Sequence, residues 1–325
     1  MTALITIFGV LVGIAVLLFG IHFVLKARAK REAAPAGEEI AADRKWESSM
    51  QKYDKVTRLT VTYVFLSILC LLSLFPFIWM VLTSLKTVAE ATNTAKLVLF
   101  PAQPQWHNYI DVFEKLDIFT GMKNTMIVEI STIPFTVFVS ALVAFAFSKM
   151  RLHHKNFWLL FLMSGLMVPG AATLLPTYKI YLMLNLTDTL WPLILPSLFG
   201  NVSLIFFFIQ FQKGIPNELF EAARLDGAGY FKSFLLIMLP NMLLPIVCQV
   251  VFAFVSHWND FFGPSIYLTS DNTKTLQVKL YSYATWSDKP MLYTGSFVTC
   301  IPLFVLYLCF QKCFVGSLAI SGIKG

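Results

Sequence analysis

Few side chains in this sequence are placed to do chemistry, and those few suit binding and docking better than bond-making. Glu129 lies one to two turns into an apolar run over 122–148. An acid in such a setting is costly enough to be a functional candidate by default. Asn201, Ser203, Gln210 and Gln249 are isolated polar residues in further apolar runs. Such residues hydrogen-bond between helices or line a path for a polar solute. Glu129 and Asn201 are the candidates for a substrate path. Within 213–233, Leu219, Ala222 and Ala223 recur at i, i+3, i+4 while Glu218, Glu221 and Arg224 supply charge around them. Cys309 and Cys313 stand four apart without a His or acid nearby to complete a metal site. His153 and His154, beside Arg151 and Lys155, read as solvated. No G-x-x-x-x-G-K-[ST] loop, H-E-x-x-H pattern or nucleophile and base pair occurs, so the chain supplies no ATP hydrolysis and is not read as an enzyme.

The elements that must position these residues follow from composition. The 325 residues have a mean hydropathy of +0.70, 57% apolar and 13% charged side chains, against roughly 25% charged in a soluble domain. A water-soluble fold is excluded, and a formal charge of +7 then marks membrane-flanking loops and not a nucleic-acid surface. A bilayer core near 30 Å needs about 20 helical residues. Seven stretches qualify: 3–25, 59–82, 122–148, 157–179, 190–212, 234–257 and 291–313. Of the 25 Lys and Arg, 17 fall in 26–58, 149–156, 213–233 and the tail after 311. The positive-inside bias places those segments in the cytoplasm and the N-terminus outside. The chain thus reads as a membrane anchor and charged linker (1–58), a six-helix block (59–313) and a cytoplasmic tail (314–325). The first run lacks the basic n-region of a cleaved signal peptide and is kept as an anchor. Residues 30–56 read either as a linker or, around Trp46, Met50 and Tyr53, as an interfacial helix. Trp106, Tyr109, Trp258 and Trp286 read as an aromatic belt, with carbohydrate stacking as the alternative. Prolines 134, 169, 192, 196, 240, 245 and 302 interrupt spans and can kink them.

The 213–233 segment does not read as a bland loop. Pro216 suits a helix start, Asn217 to Leu225 is good helix former, and Asp226-Gly227 ends it because Gly accepts a left-handed backbone. A helix of about nine residues, roughly 13 Å long, is expected between two spans. By composition alone it either rests on the bilayer or the bundle, or offers its paired alanines to a partner.

Glu221-Ala222-Ala223, then Asp226-Gly227-Ala228, Phe234, Ile237 and Leu239-Pro240, with Ile215-Pro216 ahead and Pro245 behind, resemble the EAA loop of ATP-binding-cassette importer permeases. Further segments are similar to one branch, the sugar-importer permeases like the smaller membrane subunit of the maltose transporter. These are Phe75-Pro76-Phe77 with Trp79, Thr83-Ser84-Leu85-Lys86, Asn124-Thr125, Ala144 to Ser148, Leu174-Leu175-Pro176, Trp258-Asn259-Asp260-Phe261, Pro264, Thr275-Leu276 and Gly322 to Gly325. The likeness runs from about residue 59 to the end.

The resemblance implies an all-α integral membrane protein with a six-helix type I importer permease core, here with one extra N-terminal helix for seven spans. It gives Glu221, Ala222, Ala223, Asp226 and Gly227 the role of docking surface for a cytoplasmic ATPase, and brings Gly322 and Lys324 of the tail against that ATPase. The implied assembly holds a second permease subunit, a homodimeric ATPase and an extracytoplasmic sugar-binding protein. ATP and magnesium belong to the ATPase, with no cofactor in this chain. The expected location is the plasma membrane of a prokaryote, with a carbohydrate, oligosaccharide and maltodextrin-like, as cargo. An ion-coupled secondary transporter is the alternative; it would normally show intramembrane acid and base partners and often two similar halves, and neither is apparent in the sequence.

Overall fold

In the computed structural model the described residues are 39–93, 98–282 and 288–322, with side chains described over 57–93, 98–282 and 288–311. The expected first span and Lys324 lie outside them. All regular elements among the described residues are helices. The chain divides into two compact units, Met1–Ile78 and Trp79–Gly325. Helix α1 (Glu39–Ser84) contains the span Thr57–Ser84, whose Tyr63, Phe65 and Leu71 stay exposed for lipid or another protein.

The second unit is built on α2 (Ile118–Lys149), which is unbroken despite Pro134. At about 1.5 Å per residue it is about 48 Å long, enough to cross a bilayer with turns to spare. Its small buried residues Ser140, Ala141 and Ala144 let α5 (Val202–Lys213) approach closely with Ile205, Phe208 and Ile209. Before α5 the chain crosses Gly200 at φ +84°, where a Cβ would stand 3.1 Å from Ser140 Oγ. Glycine alone fits that crossing without strain.

Two expected straight spans are bent. The run expected over 157–179 is α3 (Lys155–Ser164, continuing as a 3₁₀ turn to Met167) and α4 (Gly170–Met183), meeting at 89°. Pro169 drives Val168 out of the helical region, to ψ 117°. The run expected over 234–257 is Tyr230–Asn241 and α7 (Leu243–Trp258), at 78°. Pro240 lacks an N–H and crowds the carbonyl four residues back, and the preceding Phe234–Met238 widens into a π-helix. The described residues thus hold four helices long and apolar enough to span, or six if each bent pair is one span. The last of these, Lys289–Gln311, belongs to α9 (Lys289–Gly322), which continues helical as far as Gly322.

At the end of the unit where α2 begins, the segment after Trp258 folds back with α8 (Leu276–Ser282). Asn124 Nδ2 donates to the carbonyls of Asn272 (2.8 Å) and Lys274 (2.9 Å), and the Leu276 N–H donates to Thr125 Oγ1 at 3.0 Å. Lys279 pairs with Asp117 at 2.6 Å and holds that carboxyl below the usual range. Asp188 accepts from the N–H groups of Thr269 (2.9 Å) and Ser270 (2.8 Å) and from the hydroxyls of Thr273 (2.7 Å) and Ser270. Those donors, Ser270 first, hold its carboxyl well below the carboxylate range. Trp258 is 0% exposed and donates its indole N–H to Thr299 O at 3.1 Å, so it belongs neither to an aromatic belt nor to a stacking platform. Its apolar ring stacks on Phe254 in a second core.

Candidate functional site

At the opposite end of α2, the chain leaving α5 turns through Gly214 to Asn217 and forms α6 (Glu218–Leu225). Pro216 lies one residue before the N-cap and not inside the helix, so α6 is one residue shorter than expected. Its exit has both bonds of a Schellman closure. The Ala228 N–H donates to Ala223 O at 2.9 Å and the Gly227 N–H to Arg224 O at 3.1 Å, with Gly227 at φ +79°. A Cβ on Gly227 would meet nothing within 4 Å, so the residue is required by backbone conformation and not by crowding.

Sequence periodicity singled out Leu219, Ala222 and Ala223 as the apolar face, whereas the residue that anchors α6 is Phe220. Its ring is buried in the main core, 5.7 Å from Phe145, and Phe145 lies 5.5 Å from Phe234. Glu221, Ala222, Asp226 and Gly227 are exposed, Ala223 is half-buried, and Leu219 and Leu225 are exposed, Leu225 at 91%. The helix is thus pinned by one aromatic and leaves Leu219, Ala222, Leu225 and the charged Glu218, Glu221 and Arg224 exposed.

Polar contacts bind this region to the bundle. Lys149 Nζ donates to Ile215 O (2.6 Å) and Asn217 Oδ1 (2.8 Å). One turn deeper the fully buried Gln212 accepts from Ser148 Oγ at 2.7 Å and donates to Ala141 O at 3.0 Å. Neither Lys149 nor Gln212 was legible as special. A basic residue ending a span and a lone amide are common, and only their convergence distinguishes them.

The two substrate-path candidates occupy different cavities. Asn201 caps α5, accepting from the Leu204 N–H at 3.1 Å, and lines a chamber of about 550 Å³ with Thr136, Ser203, Gln249, Ser256 and His257. Gln210 is exposed and does not line it. Glu129 is 2% exposed and lines an apolar cavity of about 430 Å³ with Ile133, Val137 and Phe254. His257 joins the two, lining the chamber while its Nδ1 lies 3.4 Å from Glu129 Oε2 and 3.4 Å from Thr132 Oγ1. The chamber mixes its polar groups with Leu204, Phe207 and Phe252, a lining that can both hydrogen-bond and pack against a solute. Of the two tail residues, Gly322 ends α9, and Lys324 is outside the described residues.

Residues 124–312, from the first turns of α2 into α9, match the family described as binding-protein-dependent transport system inner membrane component. The arabinooligosaccharides transport system permease protein AraQ of Bacillus subtilis (strain 168) is 30% identical over 274 residues, covering 83% of this chain and 97% of that protein. The maltodextrin transport system permease protein MdxG of the same organism is 25% identical over 268 residues, covering 81% and 95%. Among solved structures, a bacterial ABC transporter involved in the import of the acidic polysaccharide alginate aligns with a TM-score of 0.68 at 21% identity, covering 80% of this chain and 97% of that one. That last likeness concerns the fold.

Proposed function

This chain belongs to the binding-protein-dependent transport system inner membrane components, and from that membership we propose that it is the permease subunit of an ATP-driven carbohydrate importer. The cargo is an oligosaccharide, maltodextrin-like, a reading supported by relatives named for arabinooligosaccharides and maltodextrin. The observation that carries the coupling role is α6: a short helix, closed by Gly227 and pinned by Phe220, that leaves Glu221, Ala222 and Leu225 free at one end of the bundle. Those residues, with Ala223 and Asp226, dock a homodimeric cytoplasmic ATPase carrying ATP and magnesium. A second permease and an extracytoplasmic sugar-binding protein complete the assembly, and Gly322 and Lys324 reach toward the ATPase. In this reading α6 faces the cytoplasm, seven helices span the plasma membrane with the N-terminus outside, and sugar passes through the chamber lined by Asn201 and His257.

A second reading, ion-coupled secondary transport, draws on the contact of Glu129 with His257, an acid and base pair at membrane depth. Uptake of labelled malto- and arabino-oligosaccharides into vesicles containing the assembly separates the two. Dependence on internal ATP and on the binding protein supports the importer. Collapse on adding a protonophore with ATP maintained supports ion coupling and overturns it.

A further inference from the structure

This inference rests on the coupling role proposed for α6. A push on α6 moves the spans only if something stiff carries it into them. The covalent route runs back through Asn217, Pro216, Ile215 and Gly214, a turn outside any regular helix, to the end of α5. A second route is direct. Lys149, the last residue of α2, donates to Ile215 O at 2.6 Å and to Asn217 Oδ1 at 2.8 Å, and its ammonium sits 5.4 Å over the Phe220 ring. Asn217 is the N-cap residue of α6, yet its side chain makes no capping bond to its own helix; its oxygen serves Lys149 instead.

We propose that Lys149 is a positioning residue for transport, the polar strut that, beside the packing of Phe220 on Phe145, carries displacement of α6 into α2. An ammonium with three rotatable donors on a flexible stem can reach a backbone carbonyl, an amide oxygen and a ring face together. Charge-assisted bonds are shorter and stronger than neutral ones. The three contacts bind to one atom the turn before α6, its N-cap and its buried anchor. Gln212 braces the same junction from α5, bonded to Ser148 and Ala141 of α2 and lying 3.1 Å from Met242 Sδ at the bend before α7. Because α2 is one unbroken helix, a shift at Lys149 is delivered to Ser140, Thr136 and Glu129 beside the two cavities.

The test uses the complete transporter in lipid vesicles, with the five native cysteines replaced and Ser203→Cys as a reporter in the chamber. The labelling rate of that thiol is measured with and without ATP and vanadate, alongside the nucleotide trapped by the ATPase. In the otherwise native chain trapping changes the labelling rate. In Lys149→Met trapping persists while the change in labelling falls about tenfold, the lower end for losing a hydrogen bond to a charged group. Lys149→Arg restores most of it, and Asn217→Ala, which removes one acceptor from an exposed site, gives a partial loss. An undiminished change in Lys149→Met overturns the strut, and so does one in Asn217→Ala if Lys149→Met does not assemble. Loss of trapping itself in Lys149→Met also overturns it, since the residue would then serve docking. If trapping leaves the reporter unmoved in the parent chain, the coupling role of α6 falls as well.

Discussion

Gly227 gives the sharpest test of α6 as a shaped element, because the structure separates two costs that a bulky substitution usually mixes. Nothing lies within 4 Å of the position a Cβ would take, so a side chain meets no wall, and the whole penalty comes from the backbone at φ +79°. Asn visits that region readily, Ala less so, and a β-branched residue is a clear outlier. The strain amounts to roughly 1 kcal/mol for Ala and roughly 2–3 kcal/mol for Val. At 1.4 kcal/mol per tenfold, Val disfavours the closed end of α6 by about 30- to 150-fold relative to Gly. The Ala228 to Ala223 and Gly227 to Arg224 bonds open together. ATP-dependent uptake in vesicles should therefore fall in the order Gly, Asn, Ala, Val, with Gly227→Val close to background. Membrane levels by immunoblot should stay constant, because the residue is exposed and outside every span. Full transport by Gly227→Val, or a series that follows side-chain volume and puts Asn below Ala, refutes the reasoning.

Phe220→Ala removes the buried anchor of α6 and should lower the melting temperature of the detergent-solubilised protein by the equivalent of about 3 kcal/mol, with uptake reduced more than ATPase activity. Gln212→Leu takes the 2.7 Å acceptor from Ser148 Oγ, leaving it the Phe145 carbonyl at 3.3 Å, and should cost about 1 kcal/mol in the same melting assay; an unchanged midpoint would show that the Phe145 carbonyl suffices. Asp188 has a folded pKa depressed below its unfolded value, so its contribution is present at neutral pH and is lost as pH falls below the ordinary Asp value of about 3.9. Asp188→Asn should accordingly melt lower than the parent at pH 7 and converge with it in strong acid; a constant gap down to pH 2 argues against the carboxylate as the source. Glu129→Gln should leave ATP-dependent uptake insensitive to a protonophore; a protonophore sensitivity that the parent shows and this variant loses would favour ion coupling.

What the sequence discloses and what it withholds divide along a physical line. Among the described residues the four unbent spans were legible because twenty apolar residues in a row have one stable setting, and α6 was legible because Pro216 and Asp226-Gly227 punctuate it. The bends at Val168 and Met242 were legible as places where proline can break a helix, but their angles depend on how the halves pack. Phe220 was hidden by its neighbours: Leu219, Ala222 and Ala223 give a tidier helical stripe, and only the position of Phe145 on a distant segment decides which face turns inward. His257 was hidden likewise. A lone histidine near the end of an apolar run carries no signal until folding brings Thr132 and Glu129, more than a hundred residues earlier, to its imidazole.

The distribution of straight and broken helices bears on how such a chain moves. Polar contacts grip α2 along its whole length: Lys279 and the 272–276 backbone at Asp117 to Thr125, the Ser197 carbonyl and the Asn201 N–H at Thr136 and Ser140, and Gln212, Ile215 and Asn217 at Ala141 to Lys149. Both cavities lie along its middle, between Met126 and Ala141. The bent pairs, α3 with α4 and Tyr230–Asn241 with α7, bend where proline has already removed backbone hydrogen bonds, so changing their angle breaks fewer of them. In the proposed coupling role, a motor acting at α6 would meet an unbroken helix in α2 and bends beside it at Val168 and Met242. Met242 itself contacts Gln212 at 3.1 Å, so the brace on α5 and the hinge before α7 share one side chain. Replacing Met242 by Leu keeps the volume and removes the sulfur acceptor. If the hinge and the brace act together, that variant should alter uptake in the same sense as Gln212→Leu, and the double variant should cost less than the two single losses combined. Strict additivity in uptake would instead mean that the two sites work independently.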